Sequence, residues 1–246
     1  MKKINSTVVI FLMLVGLSMG LYAIQLFLFH SPHDTYFYLL QDVAFLPMQV
    51  AIVTVVLQSM ISTREKKERL KQLNIVISSF FGEVGTDIIV DLNGFNQDRE
   101  GICEHLKIDG AWQKKDFAKA IEIVRSYDFP MDARVGDLAI LKSNLIEKHS
   151  FYHIMLQNQN LLEHETFSDM LWAVFHLMDE MIARDSLSDL PQADLQHLSQ
   201  DIQRAYSTLL IEWINYMEHL KTEYPYLFSL AVRKNPFDKN RSVVFQ

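Results

Sequence analysis

Length, composition and charge exclude several classes of protein. The chain has 246 residues, 49% hydrophobic and 22% charged, with only 8 glycines and 6 prolines, which is typical neither of disorder nor of many short strands. Its single cysteine, Cys103, excludes an internal disulfide and a cysteine-rich zinc site. The net charge of −7 is uneven, since residues 1–72 are basic, with seven Lys or Arg against four Asp or Glu. The remainder is strongly acidic, which excludes nucleic acid as its ligand.

Two uncharged stretches near the N-terminus predict a transmembrane hairpin. Neither Val8–Phe29 nor Val43–Leu57 contains a charged residue. A helix rises about 1.5 Å per residue, so about 20 residues cross a hydrocarbon core of about 30 Å. We therefore expect spans at about 7–29 and 36–61. A signal peptide cleaved after Ala23 is the alternative interpretation of the first stretch.

The basic residues predict the topology of this hairpin. Lys2 and Lys3 precede the first span, the short connector has no Lys or Arg, and a basic collar follows the second span: Arg64, Lys66, Lys67, Arg69 and Lys71. Cytoplasmic segments carry the excess of Lys and Arg, so both termini are expected in the cytoplasm. The collar is also expected to contact membrane lipid through anionic headgroups.

Small and polar residues inside the spans are candidates for a role in the membrane. Gly16 and Gly20 form a GxxxG step, which lets another helix approach closely. The partner is either the second span or the first span of another copy, and we expect a homo-oligomer. Asp42 is an ionisable residue at membrane depth. It predicts either a small proton or cation site, or a carboxylate bonded to water or to a tyrosine hydroxyl among the headgroups.

The whole chain is predicted to be all-α, because helical periodicity of apolar residues continues to the C-terminal region and no strand alternation stands out. The expected organisation is a hairpin over 1–61, a membrane-continuous linker helix with the basic collar over 62–92, a cytoplasmic bundle of about five or six helices over 93–234 and a tail over 235–246. Within the bundle, Asp132 is the expected N-cap of one long helix that runs to about Leu161.

Histidine spacing gives one candidate metal site. His149 and His153 are four residues apart, which places both imidazoles on one helix face, and Glu212 lies at the margin of the apolar face of another helix. The three residues predict a divalent metal site, whereas a buried histidine bonded to a carboxylate explains the same pattern without metal. His176 lies near Glu180 on the polar side of its helix, which predicts a solvated face.

Several stretches resemble a family of bacterial membrane-anchored proteins. They are Ile211–Met217, Tyr224–Leu230 and Asn235–Asp238 in the C-terminal region and Gln41–Pro47 in the second span. The resemblance covers most of the chain. It implies the same layout, a multi-pass protein of the bacterial inner (cytoplasmic) membrane, but it implies no activity and no functional residues.

These observations predict a membrane-anchored, non-enzymatic helical module that binds a partner, acts as a scaffold or serves as a sensor, without a cofactor. Trp172 on the polar side of its helix indicates a contact surface for an unknown protein partner. The alternative function is a bundle that binds a divalent metal ion or a small ligand through His149, His153 and Glu212, with hydrolysis as one use of such a site.

Overall fold

The computed structural model describes residues 6–29, 32–158, 161 and 164–238. The regular secondary structure of these residues is helical, and an isolated bridge between Asn96 and Met131 is the one β-type pairing among them, so the all-α fold class is confirmed. The chain divides into two compact units, Met1–Lys67 and Glu68–Gln246. The helices are α1 (Ser6–Phe29), α2 (Pro32–Phe80), α3 (Thr86–Asn93), α4 (Arg99–Leu106), α5 (Lys114–Ser126), α6 (Leu138–Glu147), α7 (His149–Leu156), α8 (Glu165–Ile182), α9 (Gln192–Glu223) and α10 (Pro225–Arg233), with a π-helical turn (Phe81–Gly85) between α2 and α3.

The N-terminal unit exposes its apolar side chains. Phe27 in α1 is 77% exposed and Val55 in α2 is 66% exposed. In the described part of the chain, one helical stretch, His33–Asn93, is long and apolar enough to cross a membrane. No part of its most apolar segment is buried inside the protein. A shorter apolar helical stretch covers Leu12–Leu28. The apolar side chains of this unit for which the structure describes burial are therefore exposed along most of its length.

The glycine step of α1 is open. A Cβ atom added at Gly16 or at Gly20 meets no heavy atom within 4 Å. Both glycines thus leave free space beside the helix backbone within the N-terminal unit.

The C-terminal unit is built around α9, which packs against α8, α5, α10 and α3. Its apolar residues recur every three or four positions, so one face of the helix is continuously apolar. The buried residues on this face include Leu198, Ile202, Ala205, Leu209, Trp213, Met217 and Leu220. This face forms the middle of the core.

The end of α2 enters the same unit through a π-helical turn. Phe80 and Phe81 are fully buried there, and the hydroxyl of Thr86 donates to the Phe81 carbonyl oxygen at 2.8 Å. An alanine Cβ at Gly85 would lie 2.5 Å from Cε1 of Phe80 and 2.7 Å from Cδ1 of Phe81. Glycine at this position therefore allows two aromatic rings to pack directly on the backbone of the turn. α3 follows this turn and ends at Asn93, where the Asn-Gly sequence predicts the end of a helix.

The long helix predicted from Asp132 to about Leu161 is wrong. The N-cap is Asp137, whose side chain accepts hydrogen bonds from the backbone N–H groups of Ala139 and Ile140, and the segment forms two helices, α6 and α7, separated at Lys148. The described part of residues 93–234 consequently holds seven α-helices, α4 to α10, rather than five or six.

The segment after α10 is packed onto the core rather than loose. Asn235 and Phe237 are buried, the Asn235 side-chain amide donates to the Leu106 carbonyl oxygen at 3.0 Å, and the Phe237 ring contacts Trp213 at a centroid distance of 5.4 Å. The predicted tail therefore begins with two core residues. Residues 239–246 lie outside the described part of the chain.

Candidate functional site

Two consecutive long helices bring histidines and carboxylates together. His176 and Glu180 are four residues apart on α8, and His197 and Asp201 are four residues apart on α9, so each pair occupies one face of its helix. Because α8 packs against α9, the two faces meet. Nε2 of His176 lies 3.6 Å from Oδ1 of Asp201, and Nε2 of His197 lies 3.3 Å from Oδ2 of Asp201. One carboxylate is thus shared by two imidazoles.

Asp201 is the buried member of this cluster. It is only 2% exposed, and its Oδ2 atom accepts no hydrogen bond, because the 3.3 Å contact with Nε2 of His197 lacks hydrogen-bond geometry. The side chains of His176 and His197 are 46% and 48% exposed, so solvent reaches the cluster from their side. Among the described residues, one group of three His, Cys, Asp or Glu side chains has ligand atoms that all lie within 4.8 Å of one another, and it is His176, His197 and Asp201.

Glu180 borders this group and is held by an arginine. Its Oε1 atom lies 4.0 Å from Nε2 of His176 and its Oε2 atom 3.7 Å from Nε2 of His197. Arg184 contacts the same Oε2 atom at 2.8 Å and binds the carboxylate of Asp194 through two nitrogens, at 2.6 Å and 2.9 Å. The hydrogen bonds from Arg184 lower the pKa of Glu180 and the pKa of Asp194 below their usual values. Both carboxylates are therefore kept ionised.

The charge on Asp201 is less well compensated. Its nearest arginine, Arg204, lies 3.4 Å from Oδ1 with a side chain that is 61% exposed. A neutral imidazole can donate one hydrogen bond or offer one nitrogen lone pair, and only a protonated imidazole supplies a positive charge. The cluster can therefore act either as an ion-pair network or as a set of three ligand atoms for a cation.

The predicted site at His149, His153 and Glu212 does not assemble. The His149 and His153 rings contact each other at a centroid distance of 4.7 Å and both pack near Phe175. Glu212 is 2% exposed on α9, where the side-chain amide of Asn215 donates to its Oε1 atom at 3.4 Å. These three residues are not the group of candidate ligands that the described residues bring together.

In the N-terminal unit, the carboxylate of Asp42 is bonded to a tyrosine hydroxyl, which is one of the environments predicted for it. The hydroxyl of Tyr22 donates a hydrogen bond to Oδ2 of Asp42 at 2.8 Å, so a tyrosine of α1 holds the carboxylate of α2. The hydrogen bond joins α1 to α2 within the N-terminal unit. Trp172 of α8 is 54% exposed, as its position on the polar side of the helix predicts.

Sequence reasoning missed the cluster because it treated each helix alone. His176 and Glu180 point away from the apolar face of α8, which is typical of solvated residues. The signal that could have found the site is the repeat of one spacing in consecutive helices, His-x-x-x-Glu followed by His-x-x-x-Asp. Asp201 also lies next to Ile202, inside the apolar run of α9, where a carboxylate needs a partner.

The comparisons with known proteins extend over nearly the whole chain. Residues 69–233 match the family model described as "Uncharacterized protein MJ1433, C-terminal helical domain", and residues 2–61 match "MJ1433, N-terminal helical domain". The chain is 39% identical over 239 residues to "Uncharacterized protein MJ1433" of Methanocaldococcus jannaschii, which covers 97% of this chain and 95% of that protein.

This relative is archaeal, whereas the resemblance inferred from the sequence is to bacterial proteins, and the family descriptions name helical domains without an activity. No solved structure matches the chain. Because one family model covers residues 69–233 and a second covers residues 2–61, the chain belongs to the MJ1433 family of two-part helical proteins.

Proposed function

We propose that the protein is a membrane-anchored helical binding module. The observation that carries this proposal is the apolar stretch of α2, none of which is buried inside the protein. Val43, Ile52 and Val55 are each more than 50% exposed, and so are most of their apolar neighbours. Burial of apolar surface contributes about 25 cal/mol per Å², so a surface of this extent favours a lipid environment over water. α1 is proposed as the first span and α2 as the second span of a multi-pass anchor.

The charge distribution supports the orientation. The basic collar follows the apolar stretch of α2, and all five of its basic residues are exposed. Such a collar remains on the cytoplasmic side of a membrane and attracts anionic headgroups. The C-terminal unit is then cytoplasmic, where its histidine–carboxylate cluster is available as the ligand site of the module.

The anchoring proposal predicts opposite exposure of two introduced cysteines. Cys103 is the single native cysteine, so His33→Cys and Ser150→Cys in a Cys103→Ser background each give one reactive thiol at an exposed position. We expect a membrane-impermeant maleimide to label the first variant in intact cells and the second only after permeabilisation. The protein should also stay in the membrane pellet during alkaline extraction.

Labelling of both cysteines from the same side contradicts the hairpin, and release of the chain by alkaline extraction contradicts the anchor. Labelling of both variants after permeabilisation is the control for thiol reactivity.

Self-association through α1 follows from the same anchor. Lipid tails are as apolar as leucine, so helices associate in a bilayer by close backbone packing, which small residues permit. The space beside Gly16 and Gly20 is open in the N-terminal unit, which supports a second copy as the occupant.

Gly16→Ile is therefore expected to convert the detergent-solubilised protein to a smaller species with unchanged helicity. Ser18→Ile is the matched control, because it adds bulk to the same helix about 200° away from Gly16. Light scattering of the two variants and of the wild-type protein makes the comparison. Equal masses for all three contradict the role of the glycine step.

A further inference from the structure

We propose that His176, His197 and Asp201 bind a divalent transition-metal ion of the zinc class. This inference names the ligand of the cluster and so rests on the proposed binding module. The first observation is the buried Oδ2 atom of Asp201, which lacks a hydrogen-bond partner. A buried ionised carboxylate without full compensation is unfavourable, so it requires a positive partner.

The spacing of the ligand atoms fits a small tetrahedral ion. Zinc binds imidazole nitrogen at about 2.0–2.1 Å and carboxylate oxygen at about 2.0–2.2 Å, which puts neighbouring ligand atoms of a tetrahedron about 3.3–3.5 Å apart. Nε2 of His197 lies 3.3 Å from Oδ2 of Asp201 and Nε2 of His176 lies 3.6 Å from Oδ1, and one ligand atom from each of the three residues lies within 4.8 Å of the others. The proposed site requires the two histidine side chains, which are 46% and 48% exposed, to rotate towards one carboxylate oxygen when the ion binds.

The charges around the site favour a cation. Glu180 and Asp194 are both bonded to Arg184, which is 15% exposed and forms contacts of 2.6–2.9 Å with their carboxylates. Asp201 has only the longer contact to the exposed Arg204. With neutral histidines, the two arginines leave one carboxylate charge of this group unbalanced, and a divalent ion supplies the missing positive charge.

The chemistry of the ligand atoms selects the class of ion. Two imidazole nitrogens and one carboxylate suit zinc and its first-row neighbours, whereas calcium and magnesium prefer oxygen ligands. Three protein ligands leave a fourth position for water, and the half-exposed histidines keep that position accessible. Glu180 lies beside the ligands and is held by Arg184, so it is placed to bond to the metal-bound water.

An ion-pair network without metal is the competing explanation, and the two differ in the behaviour of Asp201→Asn. Without metal, this nearly isosteric change removes a buried, incompletely compensated charge. The metal-free variant is therefore expected to melt at the same temperature as the wild-type protein or higher. With metal, the wild-type protein alone gains stability, because a ligand that binds only the folded state raises the free energy of unfolding.

The test uses the full-length protein in detergent, stripped with a chelator and titrated with Zn²⁺ by calorimetry. We expect one Zn²⁺ per chain, and at least a tenfold loss of affinity in His176→Gln, His197→Gln and Asp201→Asn. His105→Gln, which changes an exposed histidine outside both candidate sites, is the matched control and should keep the wild-type affinity. Zn²⁺ should raise the melting temperature of the wild-type protein and leave that of Asp201→Asn unchanged. Mg²⁺ and Ca²⁺ should change neither melting temperature.

Absence of Zn²⁺ binding by the wild-type protein overturns the proposal, and so does wild-type affinity in the three cluster variants. Circular dichroism of each variant checks that the fold is retained. The titration is independent of the labelling experiment, so a failed anchor and a failed metal site are distinguishable.

Discussion

Phe80→Ala is expected to lower the free energy of unfolding of the C-terminal unit by about 3–5 kcal/mol. Phe80 has no exposed surface, and its ring meets the edges or faces of three buried aromatic neighbours: Phe81 at 5.0 Å, Phe167 at 5.5 Å and Tyr152 at 5.9 Å between centroids. Truncation removes these contacts and leaves a cavity where the end of α2, α7 and α8 meet. The rings cannot close it fully, because each is fixed by its own neighbours.

Denaturant unfolding of the full-length protein in detergent, followed by tryptophan fluorescence, measures this loss. Trp213 is 2% exposed and reports on the core around α9. Tyr226→Ala is the matched control, since Tyr226 is 71% exposed and its truncation should change the free energy of unfolding by less than about 0.5 kcal/mol. Equal unfolding midpoints for Phe80→Ala and the wild-type protein would place Phe80 outside the cooperative core.

The sequence predicts the helices whose apolar period is long and uninterrupted. Apolar residues recur every three or four positions over many turns of α9, on the face that contains Leu198, Leu209 and Trp213. Of the regular secondary structures, an α-helix is the one that such a period predicts. The boundary between α6 and α7 is not predictable in this way. Asp132 and Asp137 are equivalent as N-cap residues in sequence, and the choice between them depends on tertiary packing.

That packing is local and close. A Cβ atom at Gly136, the residue before the true N-cap, would lie 2.5 Å from the ring of Phe95. Phe95 is distant in sequence, so its contact with this glycine gives no periodic signal. The π-helical turn at Gly85 also depends on close packing, because the rings of Phe80 and Phe81 lie against the backbone there.

The site was harder to predict than the fold for a related reason. A helical wheel of α8 alone places His176 and Glu180 on a polar face, and only the approach of α9 turns that face into a cluster around Asp201. Histidine pairs are common, and the His149–His153 spacing satisfied the same rule without a third ligand. Glu212 and Asp201 are equally buried, at 2% exposure each, so burial does not separate the two pairs. What separates them is that Asp201 lies within 3.6 Å of an imidazole nitrogen from each of two helices, and this depends on how α8 packs against α9.

Arg184→Met is expected to lower the free energy of unfolding by about 1–3 kcal/mol at pH 7, with the loss shrinking in acid. Arg184 is 15% exposed and bridges two carboxylates, from Glu180 on α8 to Asp194 at the start of α9. Removing one partner of a fully buried ion pair costs about 3–5 kcal/mol, and the partial exposure of both carboxylates, 28% and 29%, reduces that figure through screening by water. Methionine retains the apolar length of the side chain, so the change isolates the charge.

The pH dependence follows from the direction of the pKa shifts. Arg184 lowers the pKa of Glu180 and the pKa of Asp194 in the folded state, so its stabilisation is fully present above their usual values of about 4.3 and 3.9. It is lost as the pH falls through the lowered values, because the protonated carboxyls no longer pair with the guanidinium. The difference between the wild-type protein and Arg184→Met should therefore be largest near pH 7 and shrink as the pH falls below those usual values.

Urea unfolding at a series of pH values measures this difference, and Arg134→Met is the matched control. Arg134 pairs with Asp132 at 2.7 Å, but its side chain is 59% exposed, so the same substitution there should have a clearly smaller effect on the free energy of unfolding. A loss in Arg184→Met that stays constant down to pH 3 would assign the effect to packing of the side chain rather than to the bridge. A loss that fades in acid instead identifies the bridge as the electrostatic contact that joins α8 to the start of α9 and fixes the two helices whose faces form the histidine–carboxylate cluster.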